Sequence, residues 1–294
     1  MPEVSFTFLF VILVNGIFLG SLYALAGAGL SIPYGVSSII NLSYGDFIML
    51  GAYVSFFATV IFKINPILSM PLTLSALGLF ATLIYYTGLH KVLEKLTPEE
   101  RGYATLTLTF ALSMTLPNLV AWLYTPNYRS YEYMTWSLDF FGVKITMIKL
   151  LTILISFSLL GALRLILKRT LFGLRMRCTL EDDVAAQLVG VNIRKIHFSS
   201  FIIGSMIAGV CGCLFTLHFY LHPYMGVEYT MIAFVVAILG GLGSLLGAMI
   251  GGILIGFLEA IFTCITSPLM RIAIVYLALI VILWIKPRGL FRGV

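Results

Sequence analysis

Side chains able to do acid–base, nucleophilic or metal chemistry are scarce in this sequence: 12 carboxylates, four histidines and four cysteines in 294 residues. Two carboxylates, Asp46 and Glu259, stand in long apolar surroundings. An ionisable group at membrane depth is costly to insert, so each needs a compensating role. Facing a water-filled pathway, either could meet an ammonium group or carry a proton. The plainer roles are structural: Asp46 directly precedes Phe47 and is placed to cap a helix, and Glu259 can accept a hydrogen bond from a neighbouring helix. Glu228 falls near the outer boundary of an apolar run, with His218 and His222 just inside it. Cys178, Cys211, Cys213 and Cys264 have no metal-ligand spacing and read as small apolar packing residues, so no metal site is expected.

The elements that position these groups follow from composition. Apolar residues make up 60% of the chain, charged residues 10%, and the mean hydropathy is +1.06. A soluble domain draws about a quarter of its residues from Asp, Glu, Lys and Arg, so lipid must be the solvent for most of this chain. Uncharged runs cover residues 4–45, 47–62, 64–90, 102–128, 150–163, 196–227, 229–258 and 272–285. A helical pass needs about 20 apolar residues, and a lipid-facing barrel would alternate in segments of about ten. The spacing therefore predicts an all-α polytopic membrane protein of eight or nine transmembrane helices, one domain over 1–294. The amino end lacks a basic region, carries Glu3 and stays apolar too long for a removable signal, so the first helix is expected to remain.

A net charge of +6 would suit nucleic acid in a soluble protein, but in a membrane chain excess Lys and Arg mark cytoplasmic loops, so no nucleic-acid partner is expected. Thirteen cations gather around Lys91–Arg101, Arg164–Lys195 and Lys286–Arg292, against five elsewhere (Lys63, Arg129, Lys144, Lys149 and Arg271). The first three groups are assigned inside. That puts the carboxyl end in the cytoplasm and the amino end outside.

Parity then requires an odd number of crossings after His222–Glu228, and the first candidate, Thr230–Leu239, is half a span stopped by Gly240-Gly241-Leu242-Gly243-Ser244. Near the other end Pro33-Tyr34-Gly35 closes the first helix, and Asn41-Leu42-Ser43-Tyr44-Gly45-Asp46 precedes the second. Interrupted helices are tolerated at depth only where freed backbone groups find protein or a watery cavity. One interruption in each half is the pattern of a midplane binding site between repeats. The two segments are expected to meet at mid-bilayer; the alternative is two surface turns. Gly243, Gly247 and Gly251, Gly252 and Gly256, and Gly16 and Gly20 form small-residue stripes for close helix packing, within the chain or across a dimer.

Within the polar segment 168–197, the stretch Glu181–Asn192 starts with Glu181, Asp182 and Asp183, continues with an apolar face including Ala185, Ala186 and Leu188, and stops at Gly190. It predicts one short cytoplasmic helix that docks in a groove on a partner, or else lies solvated.

Asn15–Leu25, Asn41–Tyr53, the Glu181–Asn192 helix and Gly240–Ser244 with Gly247–Gly252 occur in an order that resembles the LivH-type permease of branched-chain amino acid ABC importers, over nearly the whole chain. The resemblance implies a multi-pass subunit of the cell membrane that pairs with a second permease (LivM-like, or a second copy), binds ABC ATPase subunits and receives solute from an extracytoplasmic substrate-binding protein. It implies a translocation-pathway role for Asn41, Ser43, Tyr44, Gly45, Asp46, Gly240, Gly241, Gly243 and Ser244, joined by Glu259 from the reading of the apolar run. It implies ATPase coupling by Glu181, Asp182, Ala185, Ala186, Leu188 and Gly190. The family usually has Phe-Ala-His-Gly-Glu where this chain has Leu42-Ser43-Tyr44-Gly45-Asp46, which leaves the solute open. No Gly-x-x-x-x-Gly-Lys-Ser/Thr loop occurs, so ATP and magnesium are expected on a partner and not in this chain, which is not read as an enzyme. The rival is a proton-coupled transporter or channel with Asp46 and Glu259 as relays.

Overall fold

A computed structural model describes residues 6–140, 143–265, 271–286 and 289–290. The chain runs α1 (Phe6–Ser37), α2 (Tyr44–Val60), α3 (Met70–Ile84), a π-helical turn (Tyr85–Leu89), α4 (His90–Lys95) and α5 (Pro98–Tyr124). A small antiparallel hairpin follows, β1 (Ser137–Phe140) and β2 (Val143–Thr146), with Ser137 opposite Thr146. Then come α6 (Met147–Arg169), α7 (Leu171–Glu181), α8 (Asp183–Leu188), α9 (Ile193–Thr216), α10 (Met225–Gly240), α11 (Leu245–Ile265) and α12 (Arg271–Ile285).

Among the described residues six rods are long and apolar enough to cross a bilayer: Thr7–Ser37, Met70–Lys95, Glu100–Tyr124, Met147–Arg169, Ile193–Thr216 and Leu245–Cys264. The apolar helices α2 and α10 are shorter, at 17 and 16 residues. They span about 25 Å each, less than the roughly 30 Å hydrocarbon core. The protein is a multi-pass, all-α membrane protein. Among the described residues one hairpin is present, between α5 and α6.

α1 is the central strut, packing along α11, α9, α10 and α6. The small-residue stripes close helices of this chain on one another. A Cβ added at Gly20 would lie 2.8 Å from the Ile253 Cα, Gly252 faces Ala24, and Gly256 faces Gly20. Lipid gives helices no hydrophobic reason to associate, so such close approach supplies the packing.

Bonds between elements define the two ends of the bundle. At one, the basic end, Arg101 pairs with Asp183 at 2.8 Å and Arg194 with Glu94 at 2.7 Å. At the other, Arg129 and Leu221 exchange backbone hydrogen bonds of 2.8 Å.

Two sequence expectations change. Pro33 does not close α1, which continues to Ser37; the Ser37 hydroxyl donates to the Pro33 carbonyl at 2.9 Å, and α9 presses Gly204 against the Pro33 ring. The short helix expected over Glu181–Asn192 is α8, Asp183–Leu188; ahead of it α6 extends to Arg169, and a further helix, α7, meets α8 at Asp182. Glu181 therefore ends α7 instead of opening the docking helix. The interruption at 240–244 lies beside α7 at the basic end, where Gly243 packs on Leu180 and on Gly35, part of the first interruption read from the sequence.

Candidate functional site

After Ser37 the chain leaves helical geometry and runs back into the bundle through residues 38–43 before α2 begins. Its backbone polar groups have no helix of their own, and lipid offers no partner for them. Hydroxyls from two other helices take their place. Ile40 N–H donates to Thr105 Oγ1 at 3.2 Å, and Leu42 N–H donates to Thr109 Oγ1 at 3.1 Å. The Ile40 carbonyl oxygen lies 3.0 Å from the Thr109 hydroxyl. From α10, Thr230 Oγ1 accepts Gly45 N–H at 2.8 Å and lies 3.2 Å from the Leu42 carbonyl oxygen. Asn41 Oδ1 closes a local turn by accepting Ser43 N–H at 3.1 Å and Ser43 Oγ–H at 2.8 Å.

α2 and α10 begin at the same point. Gly45, second residue of α2, faces Gly226, second residue of α10, and a Cβ on either would collide with the other helix start. Asp46 sits in the first turn of α2 against Gly226. It does not cap that helix: Ser43 holds the cap position, without a side-chain bond, and Asp46 Oδ1 has no hydrogen-bond partner. Helix N-termini carry partial positive charge, so two of them converge on this carboxylate. The Tyr44 hydroxyl, lodged against Gly29, is likewise without a hydrogen bond. Asn41, Ser43, Tyr44 and Asp46 are each 3% exposed or less, so the structure shows this junction closed.

Glu259 lies on a different seam, α11 against α1, where it accepts the Tyr23 hydroxyl at 2.7 Å. The segment 240–244 is a compact turn. Gly241 and Gly243 adopt φ of 93° and 88°, in the left-handed region that favours glycine. Gly240 packs on Gly247, and Ser244 Oγ accepts Gly247 N–H at 3.0 Å to start α11. Leu290 N–H donates to the Leu239 carbonyl at 2.8 Å, laying the last described residues over it.

At the basic end Asp182 caps α8 by accepting Val184 and Ala185 N–H groups at 2.7 and 3.1 Å. Ala186 faces inward; Glu181, Asp182, Ala185 and Gly190 are exposed. Val184 and Leu188 are 66% and 84% exposed, with Val189 beside them, so α8 presents an uncovered apolar face. The helix is held by Asp183, whose Oδ2 meets Arg101 on α5 at 2.8 Å. Its Oδ1 lies 3.6 Å from Nε2 of the buried His197 on α9. Burial pushes the Asp183 carboxyl up, but His197 and Arg101 outweigh it and hold its pKa below the ordinary 3.8. Asp183 is thus anionic at neutral pH.

Sequence reasoning missed Thr105, Thr109 and Thr230, and missed Arg101, Asp183 and His197 as one cluster. The threonine pair left a signal, since positions 105 and 109 share a helix face one turn apart. The pairing of Arg101 with Asp183 left none.

The family model described as "branched-chain amino acid transport system / permease component" matches residues 12–283. LivH of Salmonella typhimurium, named a high-affinity branched-chain amino acid transport system permease protein, is 29% identical over 94% of this chain and 93% of its own length. BraD of Pseudomonas aeruginosa is 28% identical over 95% and 94%. LivM of Escherichia coli is 25% identical over 80% of this chain and 60% of its own length. No solved structure matches. With nearly the whole apolar core inside the match, the chain belongs to the family of branched-chain amino acid transport system permease components.

Proposed function

We propose that this chain is a membrane-spanning subunit of an ABC importer that passes branched-chain or related hydrophobic amino acids by alternating access. Similarity to relatives named for that transport supports the solute class. In this reading ATP with magnesium is bound and hydrolysed on separate ATPase subunits. An extracytoplasmic binding protein delivers solute, and a LivM-like permease or a second copy completes the pathway. The basic end is cytoplasmic, which puts the described carboxyl-terminal residues inside the cell membrane's inner face.

One observation carries the mechanism. α5 links the uncovered helix α8 to the re-entrant segment: Arg101 near its start holds Asp183, and Thr105 and Thr109 farther along hold Ile40 and Leu42. Arg101 and Thr109 are about 12 Å apart along the helix axis. An ATPase pushing on Val184 and Leu188 displaces Asp183, and the displacement passes along α5 to the segment that closes over Asp46. Opening there exposes the Asp46 carboxyl group, which can meet a substrate ammonium, with Ser43 and Asn41 beside it. Asp46 and Asn41–Gly45 serve as pathway residues; Gly240–Ser244 serves as the hinge between α10 and α11.

The test is uptake by proteoliposomes holding the assembled importer. Arg101→Gln removes a charge-assisted hydrogen bond, so solute carried per ATP should fall about tenfold while ATP hydrolysis persists. Exchanging the pair as R101D with D183R should restore part of it. Uptake that survives removal of the ATPase and collapses with the proton gradient would overturn the proposal in favour of a proton-coupled carrier.

A further inference from the structure

A second feature at the basic end is independent of the transport reading and needs only that the helices sit in a bilayer. α1, α6, α7 and α11 enclose a cavity of about 370 Å³. Its walls are apolar: Ile32 and Val36 from α1, Met176 and Leu180 from α7, Leu245 and Leu246 from α11. Leu246 is exposed, so the cavity opens to the flank of the bundle. Around it stand Arg164 and Lys168, one turn apart on α6, and Arg177 on α7. All three are exposed, and among the described residues none has a carboxylate within ion-pair distance. Of the other cations at this end, Arg101 and Arg194 are paired with Asp183 and Glu94.

An apolar chamber beneath three uncompensated cations, at the end of helices that cross a membrane, matches one amphiphile. Its tail must be apolar and its head must carry net negative charge. A zwitterionic solute would leave the cationic rim unneutralised, and inorganic phosphate would leave the apolar walls unused. Basic pockets between transmembrane helices hold anionic head groups in this way, and long cationic side chains reach the interface while their stems line apolar surface. We propose that this cavity is a binding site for an anionic phospholipid, with an acyl chain against Ile32, Met176 and Leu245 and the phosphate held by Arg164, Lys168 and Arg177. Gly243 and Ser244 form part of the same wall. The bound lipid therefore braces the turn between α10 and α11.

Native mass spectrometry of the purified, delipidated chain tests this with phosphatidylglycerol, phosphatidylcholine of the same acyl chains, and inorganic phosphate. Phosphatidylglycerol should stay bound and raise the melting temperature, and neither of the others should. The triple variant R164Q/K168Q/R177Q should lose about tenfold or more in retention. Leu246→Trp, which fills the chamber and leaves the rim intact, should also displace the lipid, with circular dichroism verifying the helices. Equal retention of phosphatidylcholine, an equal thermal shift from phosphate, or full retention by both variants would overturn the site. None of these readouts involves transport, so failure here leaves the importer reading standing, and failure of uptake leaves this site standing.

Discussion

Segments 38–43 (Ser-Ile-Ile-Asn-Leu-Ser) and 240–244 (Gly-Gly-Leu-Gly-Ser) both interrupt apolar helices, yet the molecule completes them in opposite ways. The first borrows its partners: Thr105 and Thr109 on α5 and Thr230 on α10 bond its backbone across 65 to 188 residues of sequence. The second is self-sufficient, with two glycines at positive φ and Ser244 capping the next helix three residues on. Backbone geometry explains the difference. Within the bundle an unpaired N–H or C=O finds no water, so other helices must supply bonds. Between α10 and α11 the positive φ of Gly241 and Gly243 lets a buried turn satisfy its groups locally. A break that borrows partners is coupled to whatever moves them, and a break that does not is only a hinge.

The largest effect is expected from Gly45→Val, which drives a side chain into the start of α10. Steric collision of two helix starts belongs with the rare large effects, above about 4 kcal/mol. Almost no monodisperse protein should survive detergent extraction; a normal yield with an unchanged melting temperature would mean that α2 and α10 do not meet. A smaller effect is expected from Thr109→Val, which keeps the shape but takes away an acceptor and a hydroxyl. It should cost about 1–3 kcal/mol for each backbone group left unpaired. Thr107→Val, on the exposed side of α5, is the control and should stay within about 0.5 kcal/mol. If the two variants melt together, the borrowed bonds contribute nothing. Ser244→Ala should lose only about 1 kcal/mol, the value of a helix cap, and Ser244→Asn should regain it. A loss as large as that of Thr109→Val would show that the second break also depends on distant partners.

How far the molecule was legible in its sequence depended on the range of the interaction concerned. The rods of α1, α5, α6, α9 and α11 were readable because a bilayer imposes length and apolarity residue by residue. The end of α8 was readable from Gly190, whose φ of 84° is a local requirement. Asp182 was grouped with Glu181 as part of an acidic helix start, and only its hydrogen bonds separate a cap from the end of the preceding helix. Pro33 misled for a related reason: it removes one backbone bond, but neighbouring helices decide whether the helix survives that loss. Asp46 looked like a cap because it precedes Phe47, and α2 instead begins two residues earlier.

Sequence alone determined that this chain lives in lipid as an all-helical bundle, that its cations collect at chosen loops, and that two of its apolar segments are interrupted. Those properties follow from composition and spacing, which a bilayer reads directly as solvation energy. Tertiary structure alone decided that α2 and α10 start against each other over Asp46. It also decided that α5 carries the bonds joining Asp183 to Leu42, and that one interruption is sealed within the bundle while the other turns at its end. Each depends on a hydrogen bond or close approach between residues far apart in the chain, and no local pattern encodes which distant hydroxyl will satisfy a given backbone group.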